Sequence, residues 1–291
     1  MAAVFLTGGT GFLGSRVCRA LRQHQHSVRF LTRSGRAPDG VTPVVADLLD
    51  TPSYREALRS ADVVVHLAAA TGNAPAREHA RVNAEGTEAL IAECRGENAP
   101  RLLFTSTIAA KFADVSSYDY ARTKRRAEAA IAASGLRFAI LRPTIILGPG
   151  SATLAGLDRL ARLPVLPIVG DGRALVQPIF VDDVVRGVVA VIAGDRFRGE
   201  TIELGGPATL PIEELLQRIR EARTGTRARA FHVPLGAVLA ALRAARTLGL
   251  SRLLPLNAGQ LSAFRYDSTA DGHPFADGLR PAMAGLEQML A

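Results

Sequence analysis

The first half of the chain alternates short, continuous apolar runs with stretches of helical periodicity, and the linkers between them are short. Strands that are buried on both faces of a sheet have such uninterrupted apolar runs, because neither face meets water. The pattern therefore predicts an α/β fold, a doubly wound parallel sheet whose strands are joined by right-handed crossovers. The predicted strands are 2–6, 27–32, 43–46, 62–67, 101–105 and 137–142, and the predicted helices are 12–23, 52–59, 76–95 and 117–133.

The alternation weakens after Pro143, where prolines separate loops from shorter helical segments. We expect one domain over residues 1–145, with 175–205 returning to it. The remaining stretches are expected to form a smaller, partly helical C-terminal domain that covers the substrate. These stretches are residues 146–174 and 206–291.

Two helices are predicted in the C-terminal part of the chain. Residues 211–223 begin with Pro211 in the first turn and carry acidic side chains near the N-terminus, as helices commonly do. Residues 235–248 are apolar with Arg243 and Arg246 interspersed, a pattern also typical of a membrane-surface or partner helix. We favour a place for this second helix in the substrate-covering domain.

The composition is that of a globular protein, since 48% of the 291 residues are apolar and 21% are charged. No uncharged apolar run reaches the roughly 18 residues of a membrane span, so none is expected. The start of the chain is typical of a buried strand and not of a signal peptide, because no basic residues precede it. Cys18 and Cys94 lie in separate predicted helices, which favours reduced core thiols in a cytoplasmic protein. No metal-ligand spacing occurs.

The net charge of +8 raises the question of nucleic-acid binding. The basic residues are scattered, and neither a helix-turn-helix nor an aromatic RNA-binding signature is present, so we expect no nucleic-acid partner. Of the 35 basic residues, only Lys111 and Lys124 are lysines. A lysine in so arginine-rich a chain indicates a site that needs an ammonium group.

Glycines follow the first predicted strand and precede the first predicted helix. In the run from Thr7 to Gly14, Gly8 permits a tight turn and Gly11 allows close approach of the backbone to phosphates. Gly14 lets the helix pack near the strand. The spacing alone is a weak signal, but its position between strand and helix predicts a dinucleotide site at the helix N-terminus.

A Tyr-x-x-x-Lys pair is the second chemical signal. Tyr120 and Lys124 lie four residues apart in the predicted helix 117–133 and so share one face. A nearby ammonium favours the phenolate, which would let the tyrosine exchange a proton with a substrate oxygen. An exposed tyrosine packed on a lysine stem is the alternative. The competing pair, Tyr118 with Arg122, lacks the lysine.

These features, with several further motifs, resemble the extended or atypical short-chain dehydrogenase/reductases, the NAD(P)-dependent epimerase/dehydratase family. Within it the chain is similar to the branch of the NAD(P)H-binding accessory subunit of respiratory complex I. The resemblance implies a Rossmann-type fold with the dinucleotide on the first domain. The further motifs are His66-Leu67-Ala68-Ala69, Val82-Asn83-Ala84-Glu85-Gly86-Thr87, Phe104-Thr105-Ser106-Thr107, Leu141-Arg142-Pro143, Gly148-Pro149 and Gln177-Pro178-Ile179-Phe180-Val181-Asp182-Asp183.

The resemblance also implies roles for individual residues. Thr107 would bond the reacting oxygen, with its neighbour Ser106 as the next candidate. Tyr120 would be the acid/base, and Lys124 would hold the nicotinamide ribose and lower the pKa of Tyr120. Asn83 would support the catalytic site. The cofactor contacts implied are Thr7, Gly8, Gly11, Phe12, Leu13, Gly14, Arg33, Asp47, Leu48, Ala68, Ala69, Lys124 and Pro143.

The end of the second predicted strand indicates which dinucleotide binds. An NAD site would place an acidic residue there to bond the ribose 2′-hydroxyl, whereas this chain has Arg33. A guanidinium can bind a 2′-phosphate through charged hydrogen bonds. We therefore expect NADP(H), with NAD(H) as the alternative.

The substrate side favours an apolar molecule. Sugar-nucleotide epimerases of the family carry an asparagine shortly after the arginine of the sixth strand, and none follows Arg142. The apolar residues that follow are Ile145, Ile146, Leu147, Leu154, Leu157, Leu160, Val165, Leu166 and Ile168. Such a wall suits a small, hydrophobic carbonyl or alcohol better than a sugar nucleotide.

We therefore expect an NADPH-dependent oxidoreductase that uses Tyr120 as acid/base on a small-molecule substrate. One alternative is an epimerase or dehydratase of sugar nucleotides with an internally recycled cofactor. The other is a non-catalytic NAD(P)H-binding scaffold or assembly protein. A homodimer could form through the predicted helices 76–95 and 117–133, as in some members of the family.

Overall fold

The computed structural model describes residues 1–38, 40–238, 240, 261 and 265–291. Its main feature is a parallel sheet of seven strands in the order β11-β6-β5-β4-β1-β2-β3. The strands in chain order are β1 Ala3–Thr7, β2 Ser27–Thr32, β3 Thr42–Val45, β4 Val63–His66, β5 Arg101–Thr105, β6 Phe138–Pro143, β7 Ile146–Leu147, β8 Leu166–Val169, β9 Leu175–Val176, β10 Ile179–Phe180, β11 Glu200–Leu204, β12 Leu210–Pro211 and β13 Ala230–Val233.

Helices cover both faces of this sheet, as the uninterrupted apolar strands require. On one face α1 packs with α7, and on the other α2, α4 and α5 pack against the strands. The helices are α1 Phe12–Gln23, α2 Arg55–Arg59, α3 Ala76–His79, α4 Gly86–Cys94, α5 Asp119–Ala132, α6 Ala152–Ala161, α7 Val181–Ala193 and α8 Ile212–Thr224, followed near the C-terminus by Pro274–Leu279 and Leu286–Leu290. The predicted doubly wound α/β fold is confirmed.

The predicted elements lie close to the observed ones. Each of the six predicted strands begins and ends within one residue of a strand of the large sheet. The predicted helix 52–59 starts with a 3₁₀ turn, Thr51–Tyr54, and the predicted helix 76–95 contains a π-helical segment, Ala80–Glu85. Of the predicted helix 235–248, residue 239 and residues 241–248 lie outside the described residues.

A second apolar cluster lies apart from the sheet. It joins α6 and α8 with the short strands β8, β9 and β12 and with the helix Leu286–Leu290. By contrast, β11 pairs with β6 in the large sheet and α7 packs on α1. The two-domain division remains a prediction, and these two clusters are the basis on which we propose it.

The sheet order creates a crevice at the carboxyl ends of its strands. From β1 the chain continues to β2 and β3 on one side of the sheet, and from β4 it continues to β5 and β6 on the other side. Doubly wound sheets bind their ligands at the point between two such strands where the order reverses.

Both cysteines, Cys18 and Cys94, are free and buried. Among the described residues, no helix is both long enough and apolar enough to cross a bilayer.

Candidate active site

A cavity of about 950 Å³ opens at this crevice. Its walls come from the loop after β1, from the ends of β2, β4, β5 and β6, and from α5 and α6. All the site residues predicted from the sequence line this cavity except Thr7 and Asn83. In the described part of the chain, no group of acidic, histidine or cysteine side chains is arranged to hold a metal ion.

The glycine loop fits a diphosphate. Gly8 has a φ of +74°, and a Cβ there would lie 2.4 Å from the backbone nitrogen of Ala68. A Cβ on Gly14 would lie 2.2 Å from the carbonyl oxygen of Gly8, so loop and helix touch through backbone alone. The N-cap residue of α1, Gly11, has no side chain with which to cap the helix, and Phe12 and Leu13 of the first turn line the cavity. Uncapped amides at a helix N-terminus are donors suited to phosphate oxygens.

The end of β2 provides a cation beside this loop. Arg33 is exposed, lines the cavity, and forms no hydrogen bond or ion pair with any residue that the structure describes. Asp47 lies nearby but is engaged, since it accepts from the backbone N–H of Leu49 at 3.0 Å and from Arg81 at 3.1 Å. The bond from Leu49 is the largest cause of its lowered pKa. Arg33 is therefore available to an anionic ligand.

Tyr120 lies in the first turn of α5, with its ring 5.9 Å from that of Tyr118 and 6.1 Å from that of His79. Burial raises the pKa of Tyr120 well above its usual value, and Tyr118 raises it further. Burial also raises the pKa of Tyr118, to about 12. The predicted lowering of the Tyr120 pKa is therefore wrong for this structure, because burial disfavours the phenolate and raises that pKa. Tyr120 is a protonated phenol at neutral pH.

Lys124 is buried one turn further along α5, with 1% of its surface exposed. Its Nζ donates to the carbonyl oxygen of Thr105 at 2.7 Å and lies 4.2 Å from the centre of the Phe104 ring. Burial lowers the pKa of this lysine to about 7, and the nearby carboxylate of Glu128 partly opposes the change. The amino group of Lys124 is thus held between backbone and ring at the cavity wall.

Hydroxyl groups line the cavity at the end of β5. Thr107 caps a 3₁₀ turn, and its Oγ1 accepts from the backbone N–H of Ala109 at 3.3 Å, which leaves its own proton available. The Oγ atoms of Ser106 and Thr105 are buried and have no hydrogen-bond partner among the described residues. Thr107 can therefore donate to an oxygen in the cavity, and the enclosed hydroxyl of Ser106 is the next unengaged donor in sequence.

Thr7 and Asn83 lie behind the cavity wall. Thr7 is fully buried, and its Oγ1 accepts from the backbone N–H of Ala68 at 3.2 Å, so its side chain supports the loop. Asn83 is equally buried within the π-helical segment and bonds both backbone groups of Ala70, at 2.7 and 3.0 Å. Its amide also donates to Thr123 of α5 at 3.2 Å. The cofactor contact of Thr7 stays a prediction, and the structure encloses the side chain of this residue behind the cavity wall.

A buried histidine connects these two supports. His66 Nε2 lies 2.9 Å from Thr87 Oγ1, whose hydrogen goes to the carbonyl oxygen of Asn83 at 2.8 Å. Thr87 must therefore accept from His66 Nε2–H, which leaves Nδ1 to accept from the Thr7 hydroxyl at 2.6 Å. This arrangement requires a neutral imidazole. Burial, and then the charge of Lys124, lower the pKa of His66 from 6.5 to about 3.

Acid should therefore destabilise the protein through His66. The unfolded chain binds a proton below its pKa of 6.5, whereas the folded chain does so only near 3, so stability is lost across that window. We expect this group to remove about 2 kcal/mol of unfolding free energy between about pH 7.5 and about pH 5. Urea unfolding at both pH values measures the change. His66→Gln, which does not titrate, should lack it, and an equal loss in that variant would contradict the assignment.

Two arginines that line the cavity have no distinguishing signal in the sequence. Arg81, which engages Asp47, lies in the π-helical segment, and Arg159 lies on α6. Both are ordinary helical arginines in an arginine-rich chain. The available clue to α6 was its helical periodicity, because Leu154, Leu157 and Leu160 recur every three residues and so lie near one side of a helix.

Comparison with known proteins places this geometry among related enzymes. A sequence model described as the NAD dependent epimerase/dehydratase family matches residues 4–205. The 2-alkyl-3-oxoalkanoate reductase of Stenotrophomonas maltophilia is 30% identical over 248 residues, which cover 75% of this chain and 75% of that protein. The ceramide reductase of Caulobacter vibrioides is 35% identical over 197 residues, covering 64% of this chain and 60% of that protein.

Among solved structures, MoeE5 in complex with UDP-glucuronic acid and NAD superposes with a TM-score of 0.73. The superposition covers 99% of this chain and 96% of MoeE5, at 23% sequence identity. At this level of identity the likeness is one of fold.

Proposed function

The chain belongs to the NAD-dependent epimerase/dehydratase family and is an enzyme of the oxidoreductase type, and from this premise we propose that it reduces a ketone on an apolar substrate, with NADPH as reductant. The observation that carries the proposal is the position of Tyr120, Lys124 and Thr107 on one cavity with the glycine loop. Tyr120 is protonated at neutral pH, so it can supply the proton that reduction of a ketone requires.

The residues of the cavity have distinct parts in this reaction. The glycine loop and Arg33 would hold NADPH, which would supply, when bound, the hydride that the carbonyl carbon accepts. Thr107, with Ser106 beside it, donates a hydrogen bond that holds and polarises the carbonyl oxygen. As the carbon–oxygen π bond breaks, that oxygen takes the proton of Tyr120 Oη, and the ketone leaves as a secondary alcohol. The Lys124 ammonium stabilises the phenolate that remains until solvent returns the proton.

The substrate half of the cavity supports an apolar molecule. It is lined by Phe112, Ile145, Leu157, Leu160 and Ile212, and apolar walls with few polar groups are typical of sites for hydrophobic ligands. The names of two relatives point the same way, since a 2-alkyl-3-oxoalkanoate and a ceramide both carry alkyl chains. We therefore propose a ketone flanked by alkyl groups.

The glycine loop would hold the diphosphate of the cofactor, and Arg33 would hold the 2′-phosphate of NADPH. Arg33→Gln is expected to raise the Kd for NADPH by about tenfold to a hundredfold, the size of one or two charged hydrogen bonds. The Kd for NADH should change by less than about threefold, because NADH has no 2′-phosphate. Titration of both dinucleotides by calorimetry measures the difference.

Arg36→Gln is the matched control, since Arg36 is exposed three residues further on and does not line the cavity. It should leave both affinities unchanged. Equal effects of Arg33→Gln on the two dinucleotides would contradict a 2′-phosphate site.

The proposed activity is tested with purified protein, NADPH and a panel of long-chain ketones, followed by the absorbance of the reduced nicotinamide. Net consumption of NADPH with formation of a secondary alcohol is the expected result. Epimerisation of a UDP-sugar without net consumption of cofactor would favour the epimerase alternative. Dinucleotide binding without turnover of either substrate class would favour a scaffold.

A further inference from the structure

One face of α6 forms a wall on the substrate side of the cavity. Its cavity-lining residues are Ala152, Thr153, Gly156, Leu157, Arg159 and Leu160. Residues three and four apart share a helix face, so these six project from one side of the helix. Arg159 is the charged member of this otherwise uncharged face.

Arg159 forms no hydrogen bond or ion pair with any residue in the described part of the chain. Two other cations on the cavity are engaged, since Arg81 pairs with Asp47 at 3.1 Å and Lys124 donates to a backbone carbonyl at 2.7 Å. Arg33 is also unpaired, but it lies at the end of β2, where we propose the dinucleotide. Arg159 is therefore an unpaired cation, and it lies on α6, the helix that lines the proposed substrate side of the cavity.

The packing of α6 on α8 accounts for the unpaired state of Arg159. The neighbouring carboxylate, Asp158, pairs with Arg223 of α8 at 3.1 Å. Arg220 of α8 donates to the carbonyl oxygen of Ala161 at the end of α6, at 2.8 Å. These contacts fix the rotation of α6 about its axis and commit the adjacent acidic group to α8, so Arg159 is left to the cavity.

We propose that Arg159 binds an anionic group of the substrate, so that the substrate is an oxo acid: a ketone with a carboxylate at Arg159 and alkyl groups along Leu157 and Leu160. Arg159 is exposed, so its guanidinium is free to bind a carboxylate through charged, bidentate hydrogen bonds. This inference rests on the proposed reductase function. Arg159 would add recognition of a charged group, which the apolar walls of the cavity cannot provide.

The test compares a long-chain 2-alkyl-3-oxoalkanoate with its methyl ester, which has the same ketone without the charge. Arg159→Gln should raise KM for the acid by at least about tenfold, since a charged hydrogen bond is lost, with kcat within about twofold. KM for the ester should not change. Arg159→Lys should partly restore KM for the acid, because it keeps the charge.

Arg162→Gln is the control. Arg162 is the exposed C-terminal cap of α6, one turn beyond Arg159, and does not line the cavity. Its substitution should leave both KM values unchanged. If Arg159→Gln changes KM for acid and ester equally, or changes neither, the anion site is wrong.

Failure of the reductase function has a different signature, because the wild-type protein would then reduce neither ketone. In that case calorimetry with laurate and with dodecyl phosphate decides the anion site, and it also separates a carboxylate from a phosphate ligand. Binding of either that weakens about tenfold in Arg159→Gln supports the site. Equal affinity in both proteins, or binding of neither ligand, overturns it.

Discussion

Tyr120→Phe is expected to lower kcat for ketone reduction by about a hundred- to ten-thousand-fold, the usual range for loss of a positioned acid. Phenylalanine keeps the ring that packs between Tyr118 and His79 and removes the proton that the product oxygen needs. Fold and dinucleotide affinity should persist, because the structure gives Tyr120 Oη no protein hydrogen bond among the described residues. Single-turnover reduction with pre-bound NADPH isolates this step from product release.

Tyr118→Phe is the matched control for that experiment. Tyr118 lines the same cavity two residues earlier, and its ring contacts that of Tyr120. Its loss should change kcat by less than about fivefold, since it would donate no proton in the reaction. A larger effect of Tyr118→Phe than of Tyr120→Phe would identify Tyr118 as the acid and overturn the assignment.

Gly14→Ala should both destabilise the fold and abolish dinucleotide binding. The new Cβ would lie 2.2 Å from the carbonyl oxygen of Gly8 and 2.7 Å from the Cα of Gly9, and both are backbone atoms that no rotamer change can move. The helix must therefore shift away from β1 and its loop. We expect a loss of about 3 kcal/mol in unfolding free energy, at the upper end of overpacking costs.

The measurement is urea unfolding together with NADPH titration at a temperature where the variant stays folded. Gly278→Ala is the control, because Gly278 lies in the short helix Pro274–Leu279 and no atom of the described residues lies within 4 Å of its Cβ position. Alanine there should be neutral or stabilising by up to about 1 kcal/mol. An unfolding free energy and a Kd for NADPH close to wild type in Gly14→Ala would show that the loop and helix are not in backbone contact.

The parts of the fold that local sequence dictates were predictable. A strand such as 63–66 is buried on both faces, so its apolar run is visible without knowledge of its neighbours. The seventh strand, β11, was not predicted as a strand. Its sequence, Glu-Thr-Ile-Glu-Leu, alternates polar and apolar residues at the edge of the sheet, and it belongs there through pairing with β6.

The candidate site was predictable in position and less so in its electrostatics. The spacing of Tyr120 and Lys124 places both on α5, but the Tyr120 pKa depends on burial beside Tyr118, which spacing does not encode. The hydrogen bond of Thr7 was not predictable either, because only the fold brings its hydroxyl to His66. Arg159 had no distinguishing sequence signal, because its availability depends on the partners that α8 provides to the rest of α6.

The hydrogen-bonded row from Ala68 through Thr7, His66 and Thr87 to Asn83 bears on how this enzyme can be recombined with its relatives. Each hydroxyl has one hydrogen to give, so the orientation of one bond sets the orientation of the next. The members come from three separate stretches of sequence. A chimera that imports a first strand without a hydroxyl at position 7 would leave His66 Nδ1 and the Ala68 N–H without their partner in a buried row. A graft of the first strand and its glycine loop should therefore keep the fold best when all three stretches travel together.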